Sequence, residues 1–338
     1  MMSKALKIIR NIIITVVLMI IAAVLVCFIL KVSAKHQWKD ALEKDGLVNM
    51  VSAGDYQMNL NVFGNESAEN TVVAMPGGAD AAFPVYMKMF SEHLDDSIRL
   101  AVVSRPGYGV SEETKADVTV EYIVDSTREA LKNAGLEGPY ILMPHSFSGI
   151  YATYWENTYP DEISGVLFLD TVNEATDTSG IEAESEDKLY NVLSNLGILR
   201  LLLGDTAMYA PDFIPEEYAD DYMAFYNYND STASPSLLSE IFGEYSSNAE
   251  KAWTSVKSND IPKIYISTDP ENISDMKEIM EFSMPADEIS VQTVAEYFEE
   301  FFSDEQKNYR TERSRIRLIT INKRERRPTV GCPYAKRC

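Results

Sequence analysis

Between Cys27 and Cys332 the chain has no cysteine at all, and the remaining one, Cys338, follows close behind the second. Neither a disulfide framework nor a Cys-x-x-Cys zinc spacing can be built from such a set, so bridges and zinc fingers are excluded as the source of the fold. Histidine is equally scarce, with His36, His93 and His145 the three in 338 residues. No internal repeat and no Gly/Ser- or Pro-rich linker interrupts the sequence, which argues for one core with an insertion rather than tethered domains. Acidic residues are missing from positions 1–34, and basic residues dominate 307–338. Taking the +4 and +9 of those two stretches from the net −22 leaves −35 on residues 35–306, a field that disfavours nucleic acid as a partner.

What the chain does have first is an apolar run. Residues 12–30 are nineteen positions broken only by Thr15, and as a helix they span about 28 Å, close to the thickness of a bilayer core. The run is apolar on every side, unlike the one-sided stripe of a core helix. Lys4, Lys7 and Arg10 precede it, so the positive-inside bias keeps residues 1–11 cytoplasmic and sends the rest outward. Lys31, Lys35 and Lys39 reduce that asymmetry. The expected arrangement is a transmembrane helix at 12–30 with the lipid bilayer as partner, followed by a polar juxtamembrane helix over 31–51. The alternative is a secreted protein cleaved near Ala34 after Val32-Ser33, although signal h-regions run only about 7–15 residues.

Beyond the membrane segment, residues 56–62 alternate like an exposed strand, and short apolar runs recur at 71–75, 98–103, 140–143, 164–169 and 262–267. Helical stretches lie between the first four, near 83–95, 119–135 and 148–159. Strands and helices taking turns in this way predict a mostly parallel α/β sheet with helices on both faces. Residues 171–250, rich in Tyr, Leu and acids, interrupt the rhythm and read as a helical cap inserted into a domain over 52–321, with an atypical basic tail at 322–338.

The chemistry-bearing stretch is residues 140–149, Tyr-Ile-Leu-Met-Pro-His-Ser-Phe-Ser-Gly: a buried-strand signal, small residues, then a helix start. A serine on such a strand-turn-helix is held in a strained conformation with its Oγ exposed. Here the chain resembles the α/β-hydrolase family, whose nucleophile elbow is G-x-S-x-G; the matching residues are Pro144-His145-Ser146-Phe147-Ser148, followed by Gly149. Two upstream stretches fit the same family. Met75-Pro76-Gly77-Gly78 looks like its oxyanion loop, and 104–111, Ser-Arg-Pro-Gly-Tyr-Gly-Val-Ser, resembles its D-R-x-G-x-G-x-S turn with Ser104 in place of the acid. The resemblance implies Ser146 as nucleophile, with the backbone N–H of Phe147 and that of Gly78 or Ala79 holding the oxyanion.

In this family the triad runs Ser, then acid, then His. Asp269, just past the strand at 262–267, is the candidate acid, with Glu271 and Asp170 as alternatives. No histidine follows Ser146, so no base is identified. His145 sits inside the elbow, His36 is juxtamembrane and His93 belongs to the first crossover helix. Residues 294–302 read as an acidic amphipathic helix and 316–321 as a last strand, after which neither a histidine loop nor a closing helix appears. A shifted reading frame beyond codon 302 and natural divergence are both open as the origin of that tail. The resemblance implies an extracytoplasmic serine hydrolase of a small-molecule ester or amide, impaired by the missing base and requiring no cofactor or metal. The alternative is a non-catalytic ligand-binding protein of the same fold.

Overall fold

The computed structural model describes residues 4–94, 96–172, 185–205, 209–211, 213–228, 234–267 and 289–293. An eight-stranded sheet forms the centre, ordered β1-β2-β4-β3-β5-β6-β7-β8: β1 (Met50–Ala53), β2 (Tyr56–Gly64), β3 (Asn70–Met75), β4 (Ile98–Val103), β5 (Tyr140–Pro144), β6 (Ile163–Leu169), β7 (Lys263–Ser267) and β8 (Ile289–Thr293). β2 pairs antiparallel with β1 and β4, and every other pairing is parallel. This is the mostly parallel α/β sheet that the alternating strands and helices predict, in the α/β-hydrolase arrangement that the motif resemblance implies.

Alternation across the pleat explains why the central strands are apolar throughout. Val73, Met75, Ala101, Val103 and Leu142 join one core beneath α3 (Val120–Asn133), α4 (Gly149–Thr158) and α9 (Tyr245–Ser255). Their neighbours Val72, Ala74, Leu100, Val102 and Met143 face the other way, against Phe83 and Met87 of α2 (Phe83–Ser91). Helix starts follow local chemistry: Thr119 caps α3 by accepting from the Tyr122 N–H at 3.2 Å, and Pro84 occupies the first turn of α2.

The first helix, α1, runs unbroken over Lys4–Lys44 and is long and apolar enough to cross a membrane. The polar helix expected over 31–51 is therefore the continuation of α1, and it stops earlier than anticipated. Gly46 at φ +72° lets the Leu47 N–H return to the Leu42 carbonyl at 2.8 Å, after which Met50 and Val51 enter β1. Leu42 and Leu47 are fully buried with Ala82 and Val85 near α2 and with Tyr218 and Phe225 of α7 (Glu216–Tyr228), which roots α1 in the domain.

Between β6 and β7 the chain passes through α5 (Ser185–Asn195), α6 (Ile198–Leu203), α7, α8 (Pro235–Leu238), a π-helical turn at Ser239–Gly243, and α9. β8 pairs with β7 from Lys263↔Ile289 to Ser267↔Thr293, a strand absent from the sequence expectations. The helix expected at 294–302 and the strand at 316–321 lie outside the described residues.

Candidate active site

Three strands end side by side with a non-glycine residue in the left-handed region: Ala79 (φ 57°) beyond β3, Ser146 (φ 48°) beyond β5 and Asp170 (φ 47°) beyond β6. Such a conformation costs on the order of 1–3 kcal/mol per residue and survives only where the surroundings enforce it. At Ser146 the enforcement is visible. His145 is still extended and donates its N–H to Met75 O at 3.0 Å; Ser146 then turns, and Ser148 returns its N–H to His145 O at 3.0 Å. The Val172 N–H bonds Ser146 O at 3.2 Å, tying the turn to the end of β6.

Two glycines let these backbones approach. A Cβ on Gly77 would lie 2.9 Å from His145 Nδ1 and 3.2 Å from Ser146 Cβ, and one on Gly149 would lie 2.7 Å from Thr171 Cβ. The loop after β3 thus lies directly against the serine. A Cβ on Gly78 would stand 3.8 Å from Phe147 Cβ, so these two residues face each other across the turn. The Phe147 N–H belongs to the first turn of the helix that becomes α4, where backbone donors lack intrahelical partners. Ala79 differs, since its N–H donates to Tyr108 Oη at 3.3 Å.

Of the candidate acids, Asp269 and Glu271 lie outside the described residues. Asp170 is held by its N–H to Ile266 O at 2.7 Å, and its carboxylate accepts from Ser267 Oγ at 3.0 Å. Among the histidines, His36 and His93 are exposed, on α1 and just past α2. His145 stacks on Phe83 at 6.2 Å with its Nδ1 buried and unbonded. Burial lowers its pKa while the charge of Asp170 pulls the other way, so the ring favours its neutral form.

Sequence reasoning missed what holds the Pro76-Gly77-Gly78 loop. Arg105 and Glu240 form an ion pair at 2.5 Å with side chains only 1% and 2% exposed. Arg105 also donates to Pro76 O (2.7 Å), Gly77 O (3.1 Å) and Ser148 Oγ (2.6 Å), gripping the loop and the elbow together. Tyr151 Oη donates to Glu240 at 2.5 Å, and the guanidinium lies 4.3 Å from the Tyr108 ring centre. Burial works against the Arg105 charge, yet Glu240, Tyr108 and Tyr151 together raise its pKa. The signal was half present: Arg105 belongs to the turn that carries the resemblance, but its partner lies 135 positions away in the insertion, with no local pattern to mark it.

Asp80 follows the loop, and burial raises its pKa to about 6 against the Ala82 N–H bond and the Arg105 charge; its Oδ1 is buried without a partner. Charge effects link it to Tyr86 and Tyr226, which with Tyr222 form an aromatic cluster reaching Phe213. Among the described residues no group of histidine, cysteine and acidic side chains could hold a metal ion.

No family model matches the chain. The protein YbdG of Bacillus subtilis is 33% identical over 166 residues, 48% of this chain and 50% of its own length. An uncharacterized protein of Schizosaccharomyces pombe is 26% identical over 154 residues, 38% of this chain and 29% of its own. A Saccharomyces cerevisiae vacuolar membrane protein shares 26% over 83 residues, 13% of its length. The chain thus spans half or less of the curated relatives it matches. Solved structures cover far more: Cfl2 of Burkholderia cenocepacia (TM-score 0.54, 14% identity, 73% of this chain and 87% of that one), an ancestral haloalkane dehalogenase (0.53, 14%, 73% and 90%) and the haloalkane dehalogenase DbeA of Bradyrhizobium elkani (0.51, 13%, 73% and 88%). At these identities the likeness concerns the fold, which is that of the α/β hydrolases.

Proposed function

We propose that the chain is a membrane-anchored serine hydrolase that acts on an ester or amide through an acyl-enzyme at Ser146. The observation that carries this reading is the left-handed Ser146 on the β5–α4 turn, pressed against the Gly77 loop. Dehalogenation, the activity named for some of the solved structures, needs a carboxylate at the elbow, and a serine stands there.

In the proposed reaction Ser146 Oγ attacks the acyl carbonyl carbon, and the N–H groups of Phe147 and Gly78 receive the developing oxyanion. Ala79 is a weaker third donor because its N–H already donates to Tyr108 Oη. The bond to the leaving alcohol or amine breaks as that group gains the proton lost from Oγ, and water then releases the acid. Asp269 is the proposed triad acid, with Glu271 and Asp170 as alternatives. With no histidine after Ser146, Oγ lacks its usual proton acceptor and turnover is slow, limited to about the 1,000- to 10,000-fold over water that oxyanion donors and binding alone supply.

Residues 12–30 would anchor the protein with 1–11 in the cytoplasm and the hydrolase domain outside, its cap at about 171–250 set over the site. Protease added to intact cells should digest the domain; a protected domain contradicts the orientation. For the chemistry, the assay is hydrolysis of short p-nitrophenyl esters by wild type, by Ser146→Ala and by a variant whose tail carries a histidine loop and helix. Slow wild-type turnover, lost in Ser146→Ala and raised in the tail variant, supports the reading. Equal background from all three favours a non-catalytic binding protein of the same fold, a reading that the missing histidine itself motivates.

A further inference from the structure

The large exposed hydrophobic side chains are not scattered. Among the described residues they fall in α1, from Leu6 to Val32, and in a second set at Leu189, Val192, Leu201, Leu202, Leu203, Tyr209 and Phe213, with Phe242 at the margin. Within α6 the three leucines are 62%, 72% and 68% exposed, on a six-residue helix whose sequence is Ile-Leu-Arg-Leu-Leu-Leu. A soluble surface rarely carries an apolar patch of this kind.

The turn between α5 and α6 fixes where this second set lies. A Cβ on Gly197 would meet Cys27 O at 2.5 Å and Lys31 Cβ at 2.9 Å, and Lys31 Nζ donates to Ser194 O at 2.9 Å. The turn therefore rests on the last turn of the 12–30 run, where apolar sequence gives way to Lys31. A helix of six residues extends about 9 Å, so Leu201, Leu202 and Leu203 stay within that reach of the same level. Interfacial helices bury their apolar faces about 5–10 Å into the boundary between headgroups and acyl chains.

We infer that α5 and α6, together with Tyr209 and Phe213, lie in the surface of the bilayer that α1 crosses, so that the cap is a second membrane contact. The inference rests on the anchoring reading above. α1 supplies the continuity: Gly197, at the start of α6, lies against Cys27 and Lys31, where the exposed apolar run of α1 ends. Lys31 stands at the headgroup level, as does Arg200, which pairs with Asp205 at 2.6 Å.

The test uses the full chain in phosphatidylcholine nanodiscs, with Leu202→Trp beside Lys132→Trp on the exposed side of α3 and the unsubstituted protein as background for Trp38, Trp155 and Trp253. With lipid brominated in the upper acyl chain, the fluorescence added by Leu202→Trp should fall by about half or more, as expected for a shallow interfacial position, while that of Lys132→Trp holds. Water-like, unquenched emission at 202 in protein that still floats with lipid overturns the inference and leaves the anchor standing. Blue-shifted but unquenched emission means that a protein surface covers the patch, and likewise overturns it. Protein that fails to float with lipid overturns the anchor and the inference together.

Discussion

The insertion between β6 and β7 has two halves built from similar residues with opposite fates. In the half that follows α6, Phe225, Leu237, Glu240 and Tyr245 are buried, and Glu240 closes the ion pair with Arg105, which grips the Pro76 and Gly77 carbonyls. In α5 and α6, Leu189, Val192 and the three successive leucines stand exposed beside α1. Hydrophobicity alone does not separate them. What separates them is the neighbour: the half after α6 finds α4 and the buried C-terminal end of α1 around Leu42, whereas α5 and α6 find the flank of α1 near Lys31, where the helix is apolar and uncovered. One insertion thus carries both a buried part that reaches Arg105 and an exposed apolar part beside α1.

Removing Glu240 should break this contrast most severely. Glu240→Ala leaves Arg105 charged and unpaired in the interior, and stability should drop by about 3–5 kcal/mol in urea unfolding of the detergent-solubilised chain. Replacing both partners, Arg105→Met with Glu240→Leu, should cost less than Glu240→Ala alone. A double variant worse than the single one would mean that the pair carries net stability of its own. Next, Leu237→Ala should lose about 2–5 kcal/mol by opening a cavity, whereas Leu202→Ala in detergent should change stability by no more than about 0.5 kcal/mol. Equal losses would erase the distinction between the halves.

Asp80, beneath the docked half, offers a smaller effect with a pH signature. Its folded pKa, raised to about 6, exceeds the ordinary value of 3.8. The native state therefore holds the proton more tightly, and stability falls as pH rises between those two values, then levels off above the higher one. Over that window Asp80→Asn should gain on wild type by at most about 2–3 kcal/mol, since one pKa unit corresponds to about 1.4 kcal/mol. A difference between the two proteins that does not change with pH would show that Asp80 is not held in a desolvated place.

Legibility in the sequence followed the range of the interactions involved. β4 at Ile98–Val103 and the β5–α4 elbow around Ser146 rest on local apolar runs and small residues, and both stand where the pattern puts them. The end of α1 at Lys44 turns on Gly46, a single residue that a polar, helix-compatible stretch obscures. β8 is five residues with Ser, Gln and Thr among them, too short and polar to read alone, and it exists by pairing with β7. The Arg105–Glu240 pair and the contact of Gly197 with Cys27 join distant positions, and no periodicity encodes such meetings.

Covalent capture at the elbow tests the central claim most directly. The full chain, exposed for a long period to a fluorophosphonate and then digested for mass spectrometry, should carry the adduct on the peptide containing Ser146, and Ser146→Ala should carry none. An adduct on another serine, or none on Ser146 in folded protein, would contradict the assignment of Ser146 as the nucleophile.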